Sequence, residues 1–312
     1  MIRRTIATLS VLPFIALPAF AEPAEAEPKH PVQPLLWKVE GMDLDKPSWL
    51  FGTIHLGDGP VGTLHPAARK ALEASDAVYT EVSMDPATQL GLARHFIRAD
   101  GKKLSESIGE ELHDQFAREL KAVNPALVPE VFESFKTWAA AVTVPLLEAQ
   151  LSGATPLDGI VWNEAKKAGK TTGALEKAAD QFGIFDGLTE EEQIILLSES
   201  LRLQREARAD GENPVDKLVE AYVSGDPKRV EAEVERQFLE MIKGEHKALG
   251  EKLLKQLLDD RDTKMAGTMA ARLEAEPGKS HFFAVGAAHY VGKDNIGEQL
   301  RKKGYTVTFA NP

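Results

Sequence analysis

The sequence predicts an α/β fold: a mixed central sheet built from two strand–GxxH–loop–helix–strand half-units, with a large all-helical insertion between them. Three observations predict it. Apolar strand-like runs gather at the two ends of the chain, in "LLWKVEG", "SWLFGTI" and "AVYTEVS" early and in "SHFFAVG" and "YTVTFA" late. A glycine followed three residues on by a histidine closes a strand at each end, as Gly52 and His55 in "FGTIHLG" and as Gly286 and His289 in "AVGAAHYVG". Between them, from about 86 to 276, apolar residues recur three and four apart, the period of a helix with one buried face.

Taken in order, the elements are these. Residues 1–21 read as a signal peptide: Arg3 and Arg4, an apolar run broken by proline, then Ala19-Phe20-Ala21 as a small-x-small cleavage site. Cleavage after Ala21 implies export to the periplasm or beyond, with no integral membrane association afterwards. Residues 22–33, rich in proline and glutamate, read as a flexible leader, and 34–312 as one domain. "LLWKVEG" and "SWLFGTI" flank a turn-like "MDLDKP" and form a hairpin. Asp43 and Asp45 in that turn lack the glycine and closing glutamate of a calcium loop. A helix around "HPAARKALEAS" then leads to the strand bearing Glu81. Further on, "TTGALE" reads as a short strand, and Thr189 with Glu192 has the form of a capping box opening a long helix.

Composition narrows the function classes. The formal net charge of −11 becomes more negative once Arg3 and Arg4 are removed, which opposes phosphate and makes nucleic acid or an anionic membrane surface a poor partner. The chain has no cysteine, so an exported form has no disulfides and must be held by its core. No GxSxG elbow, P-loop or HExxH occurs. Gly57, Gly59 and Gly62 spell GxGxxG after a strand, with Glu81 near the spacing of a ribose-binding acid. Pro60 and a helix that begins only near His65 argue against a dinucleotide cradle.

His55, Glu81 and His289 each stand at the carboxyl end of a strand. Neighbouring strands would bring two imidazoles and a carboxylate to one sheet edge, where α/β folds gather ligands. Such a set suits a divalent transition metal that polarises a carbonyl, or a histidine base oriented by the glutamate; both stay open at this point. The glycine before each histidine permits tight backbone geometry and leaves room for a ligand. The remaining histidines, His30, His65, His95, His113, His246 and His281, are expected to be solvated or local caps.

The segments "LLWKVEG…SWLFGTIHLG", "AVYTEVSMD", "LDGIVWNEAKKAGKTTGALEKAADQF", "LLDDRDTKMAGTM" and "FFAVGAAHYVGKDNIGEQLRKKGYTV", in this order, resemble the TraB/GumN family, related to the Tiki proteins and to an erythromycin-esterase/ChaN-like group. The resemblance implies a grouped active site of His55, Glu81, Arg261 and His289, with Arg261 stabilising developing oxyanion charge. It implies a metal-dependent hydrolase of peptide or other acyl bonds, with His55, Glu81 and His289 as ligands to manganese or cobalt first and zinc or iron next. The substrate would be a peptide or small molecule. The ChaN-like relatives imply an alternative, a non-catalytic protein binding haem, a peptide signal or a small ligand. Glu176 and Gln181 match a family segment and are assigned to substrate binding, with helix anchoring as the other role open to them. Asp262 stands where the family usually has asparagine.

Overall fold

The computed structural model describes residues 30–57, 59–212, 214–241 and 246–310, so the expected signal peptide and most of the leader lie outside the described residues. The hairpin is present: β1 (Leu36–Glu40) pairs antiparallel with β2 (Ser48–Thr53), Leu36 facing Phe51 and Val39 facing Ser48. Its connection turns on three consecutive left-handed residues, Gly41, Met42 and Asp43, of which only the glycine adopts that geometry without steric cost. Helix α1 (Pro66–Ala74) leads to β3 (Ala77–Thr80). It starts well after the glycine run, with His65 as its cap accepting from the Ala67 amide, as expected of a chain that does not cradle a dinucleotide.

Helices α2 (Pro86–Phe96), α3 (Leu104–Val123), α4 (Thr137–Thr143), α5 (Leu147–Leu151) and α6 (Leu157–Lys167) separate β3 from β4 (Thr171–Ala174). Then come α7 (Ala178–Asp186), α8 (Glu190–Ala209), α9 (Pro214–Val223), α10 (Pro227–Met241), α11 (Lys247–Leu254) and α12 (Asp260–Ala275). The chain closes with β5 (His281–Gly286), α13 (Ile296–Lys302) and β6 (Thr306–Phe309). The capping box opening α8 is formed in both directions between Thr189 and Glu192. The helical middle is interrupted by β4, the strand read in "TTGALE", which joins the sheet at its edge.

The sheet is mixed, in the order β4-β3-β5-β2-β1-β6. β4, β3, β5 and β2 run parallel, while β1 pairs antiparallel with both β2 and β6. All six residues of β5 and all four of β3 are buried, as parallel strands covered on both faces require. The two units share an order of elements and differ in pairing. From β2 the chain crosses β5 to reach β3; from β5 it travels the other way, past β2 and β1, to β6. The two GxxH strands are therefore neighbours whose connections leave in opposite directions, the topology that opens a crevice at their carboxyl ends.

Two apolar cores result. One packs the sheet against α1, α6, α9, α12 and α13 around Phe51, Phe282, Phe283 and Met269. The other gathers α2, α3, α4, α7, α8 and α11 around Phe116, Phe132 and Trp138. His281, expected to be solvated or a local cap, is wholly buried because it opens the central strand, its ring packing beside both Tyr79 and Phe283.

Candidate functional site

The crevice between β2 and β5 holds the predicted residues. Gly286 ends β5, and a Cβ placed there would meet Glu81 Oε1 at 3.1 Å, His289 Cδ2 at 3.7 Å and His55 Nε2 at 3.7 Å. Three side chains separated by up to 234 positions thus ring one point, so the two histidine rings lie well inside the ~10 Å that would exclude a shared ion. His289 Nε2 stands 4.0 Å from Glu81 Oε1.

Each histidine is oriented by an aspartate. His55 Nδ1 lies 2.9 Å from Asp158 Oδ2, and His289 Nδ1 lies 2.5 Å from Asp262 Oδ1. An ionised carboxylate only accepts, so beside one each Nδ1 carries hydrogen, and Nε2 is the nitrogen left to take a ligand. Asp158 is held in turn by the Thr53 hydroxyl, which donates at 2.5 Å. Its approach is fixed by backbone: the Leu157 amide donates to Leu56 O at 3.0 Å, and Gly57 packs so close to Thr155 that a Cβ would fall 1.9 Å from its carbonyl oxygen. The glycine-rich loop therefore shapes this flank of the crevice.

Glu81 is braced from behind. Its Oε1 accepts from the Gly286 amide at 2.7 Å, and its Oε2 accepts from Arg261 Nη2 at 2.5 Å and Gln181 Nε2 at 3.1 Å. Arg261 also donates to Glu176 from Nη2 and Nε and to Leu257 O from Nη1, a carbonyl within the π-helical turn Lys255–Asp259. That turn sits immediately before α12, from whose first turn Arg261 and Asp262 both reach the crevice. The resemblance implies that Arg261 stabilises oxyanion charge; its guanidinium donates to two carboxylates and a carbonyl, and so holds Glu81 in place. Gln181, assigned with Glu176 to substrate binding, donates to Glu176 as well as to Glu81, which places both beside the crevice.

The charges follow from these contacts. Burial would push the Glu81 carboxyl up, but Arg261, His289, His55 and the Gly286 amide outweigh it and hold the group well below the usual carboxylate range. Burial pulls the His55 imidazole down, and the charge and hydrogen bond of Asp158, with Glu81 behind, reverse this and raise it to about 9. Burial raises the Asp262 carboxyl, with His289 opposing. Burial and Asp158 raise Tyr222, whose hydroxyl donates to Gly52 O at 2.7 Å and ties α9 to the end of β2. The hydrogen-bonded network sets four carboxylates, those of Glu81, Glu176, Asp158 and Asp262, against the single guanidinium of Arg261.

A family model described as TraB/PrgY/gumN matches residues 35–309. The chain belongs to this family. Curated relatives include "Metalloprotease TIKI2" of Danio rerio and "Metalloprotease TIKI1" of Homo sapiens, each 26% identical over 89% and 88% of this chain and 61% of their own length. "Metalloprotease TIKI homolog" of Nematostella vectensis is 22% identical over 91% of this chain and 69% of its own. The chain thus spans about three fifths of the length of the first two relatives. No solved structure matches it.

Asp158 is the site residue that sequence reading of this family member missed. Its signal was present: Asp158, Val161, Trp162 and Ala165 share one buried helix face, and a carboxylate on an apolar stripe needs a partner. Asp262 sits the same way before Met265, Ala266 and Met269, and was visible only as a departure from the family's asparagine.

Proposed function

We propose that this protein is a metal-dependent hydrolase of peptide or other acyl bonds, with His55, His289 and Glu81 as ligands. One observation carries the reading: His55 Nε2, the Cδ2 edge of the His289 ring and one carboxylate oxygen of Glu81 gather at the space left open by the missing Cβ of Gly286, with His289 Nε2 4.0 Å from that oxygen. Among the described residues, no group of three or more histidine, aspartate or glutamate side chains stands close enough together to hold a metal ion as it is. The chemistry of the donors fits nonetheless. Both rings have Nδ1 occupied and Nε2 left to take a ligand, and the excess of carboxylates over cations favours a divalent ion there. The relatives' name, metalloprotease, agrees with a metal and with a peptide substrate.

Such an ion, manganese or cobalt first and zinc or iron next, would polarise a carbonyl and acidify a bound water. Asp158 and Asp262 keep the two rings in the tautomer that presents Nε2. Arg261, Gln181 and the Gly286 amide keep Glu81 ionised and still. A carboxylate held so far below neutrality is a poor proton acceptor, since an efficient base has its pKa near the working pH, so Glu81 serves as a ligand and not as the general base. Arg261 acts through Glu81.

Metal analysis of protein purified without a histidine tag tests the reading, together with peptide and ester hydrolysis on adding manganese or cobalt. An ion bound in equal proportion to protein, lost with hydrolysis in His55→Ala, supports it; no metal and no hydrolysis gained on its addition overturns it. Export is also proposed, from the sequence of residues 1–21. N-terminal sequencing of protein recovered outside the cytoplasm should begin at Glu22.

A further inference from the structure

The sheet has two edges, and they are treated differently. At β6, Arg301 donates from Nε at 3.1 Å and Nη2 at 2.8 Å to the Val307 carbonyl, putting a cation on the edge strand and discouraging another strand from adding there. At β4, the ladder to β3 runs from Thr171 to Ala174, and no other hydrogen bond to these four residues occurs among the described residues. A parallel ladder bonds only the backbone groups that face the neighbour, so the outward-facing amides and carbonyls of β4 lie along an open edge. Thr171 is exposed and the other three half-buried, with small side chains throughout, and Gly173 is bare because the Tyr79 ring lies 2.8 Å from where its Cβ would be.

This edge leads to the site. The Glu176 amide donates to Glu81 O at 2.9 Å just beyond β4, and the Glu176 side chain joins the Arg261 clamp. The edge is also locally basic in an acidic chain: Lys167 before the strand and Lys177 after it are exposed.

We propose that the open edge of β4 receives an extended, acidic polypeptide segment as an added strand, and that this edge selects the substrate. The inference rests on the hydrolase reading only for the fate of the bound segment. Main-chain hydrogen bonds supply the affinity and the two lysines favour acidic side chains. The added strand would lie about three and a half positions from the crevice between β5 and β2, at ~4.8 Å each, a span that about five extended residues cross at ~3.3 Å each. Productive substrates therefore need about nine residues: roughly four to pair and five to reach the crevice. Folded proteins and short peptides are excluded by the same geometry.

The test is a binding measurement on the full chain, needing neither metal nor turnover. A fluorescein-labelled peptide of about ten residues, alternating glutamate with valine and threonine, is compared with its analogue N-methylated through the middle. Anisotropy should show binding that falls at least about tenfold on N-methylation and several-fold in Lys167→Glu/Lys177→Glu at low salt. Hydrogen exchange should slow at Thr171–Ala174 when peptide is added. Equal binding of the N-methylated peptide, or protection elsewhere only, overturns the proposal, as does sedimentation showing that the edge pairs with a second copy. Peptide binding with no hydrolysis once manganese or cobalt is supplied would leave the edge assignment standing and count against the hydrolase reading alone.

Discussion

The two halves of the crevice present the same pair of groups in opposite settings. His289 sits in a 3-10 turn right after β5, its side chain only 5% exposed and its aspartate 6% exposed. His55 follows β2 in a bend, its side chain 49% exposed against an Asp158 that is 6% exposed. One imidazole is locked into the core; the other stands at the mouth on a buried carboxylate. The difference teaches how a site can be poised without being contracted. On the proposed reading, His289 and Glu81 are the buried ligands and His55, half-exposed, is the ligand at the mouth. The glycines divide in the same way. A Cβ on Gly286 would enter the crevice, whereas one on Gly52 would strike Leu35 Cβ at 3.0 Å and Ala287 Cα at 3.2 Å, so Gly52 lets the second motif pack against the first.

The largest test removes either ring. His289→Ala and His55→Ala should each lower hydrolysis by about a thousandfold or more, as happens when members of a set act as a unit, and the double variant should be little worse than either alone. Additive losses would show that the rings work separately and would dissolve the comparison. Ion retention, read by metal analysis, should fall further in His289→Ala, where the buried ligand is lost.

Next come the aspartates. Asp158→Asn and Asp262→Asn should each weaken ion binding about 10- to 100-fold. An amide can still accept from Nδ1, so the loss should track the carboxylate charge. In a titration of Asp262→Asn with manganese, an affinity unchanged from the parent chain would make the carboxylate irrelevant to that half.

The glycines separate folding from function. Gly52→Ala should cost about 1–3 kcal/mol, the usual toll of overpacking against backbone, and shift the denaturant midpoint while leaving ion affinity close to the parent's. Gly286→Ala should do the reverse. If Gly286→Ala instead lowers the denaturant midpoint while the folded variant binds its ion normally, the crevice is not where the ion sits.

These contrasts also mark what the sequence could and could not tell. The strand-end positions of His55, Glu81 and His289 were legible because strands and a histidine after a glycine are local patterns. That β2 and β5 are neighbours, with residues of the two motifs packed together, was not local, and only their shared motif hinted at it. The charge of Arg261 was legible and its partners were not, since the carboxylates of Glu81 and Glu176, which follow β3 and β4, had to converge on it first. Asp158 was hidden by expectation: a helix start is where an acidic residue is ordinarily read as a dipole partner.

The smallest expected effect is one of pH, and it isolates the exposed half. The metal-free His55 ring is raised from 6.5 to about 9, so the folded chain binds its proton more tightly than the unfolded chain does. The stability this gives is complete below pH 6.5 and disappears as pH rises through about 9. Half of the side chain is open to solvent, so the decline in midpoint across that window should be shallow. The ring itself gives the cleaner signal. Its proton resonances in metal-free protein should titrate near pH 9, fall back toward ordinary histidine values in Asp158→Asn, and barely move in Asp262→Asn. A ring that titrates at or below 6.5 in the parent chain would mean that Asp158 does not hold it, and that the crevice has one oriented histidine instead of two.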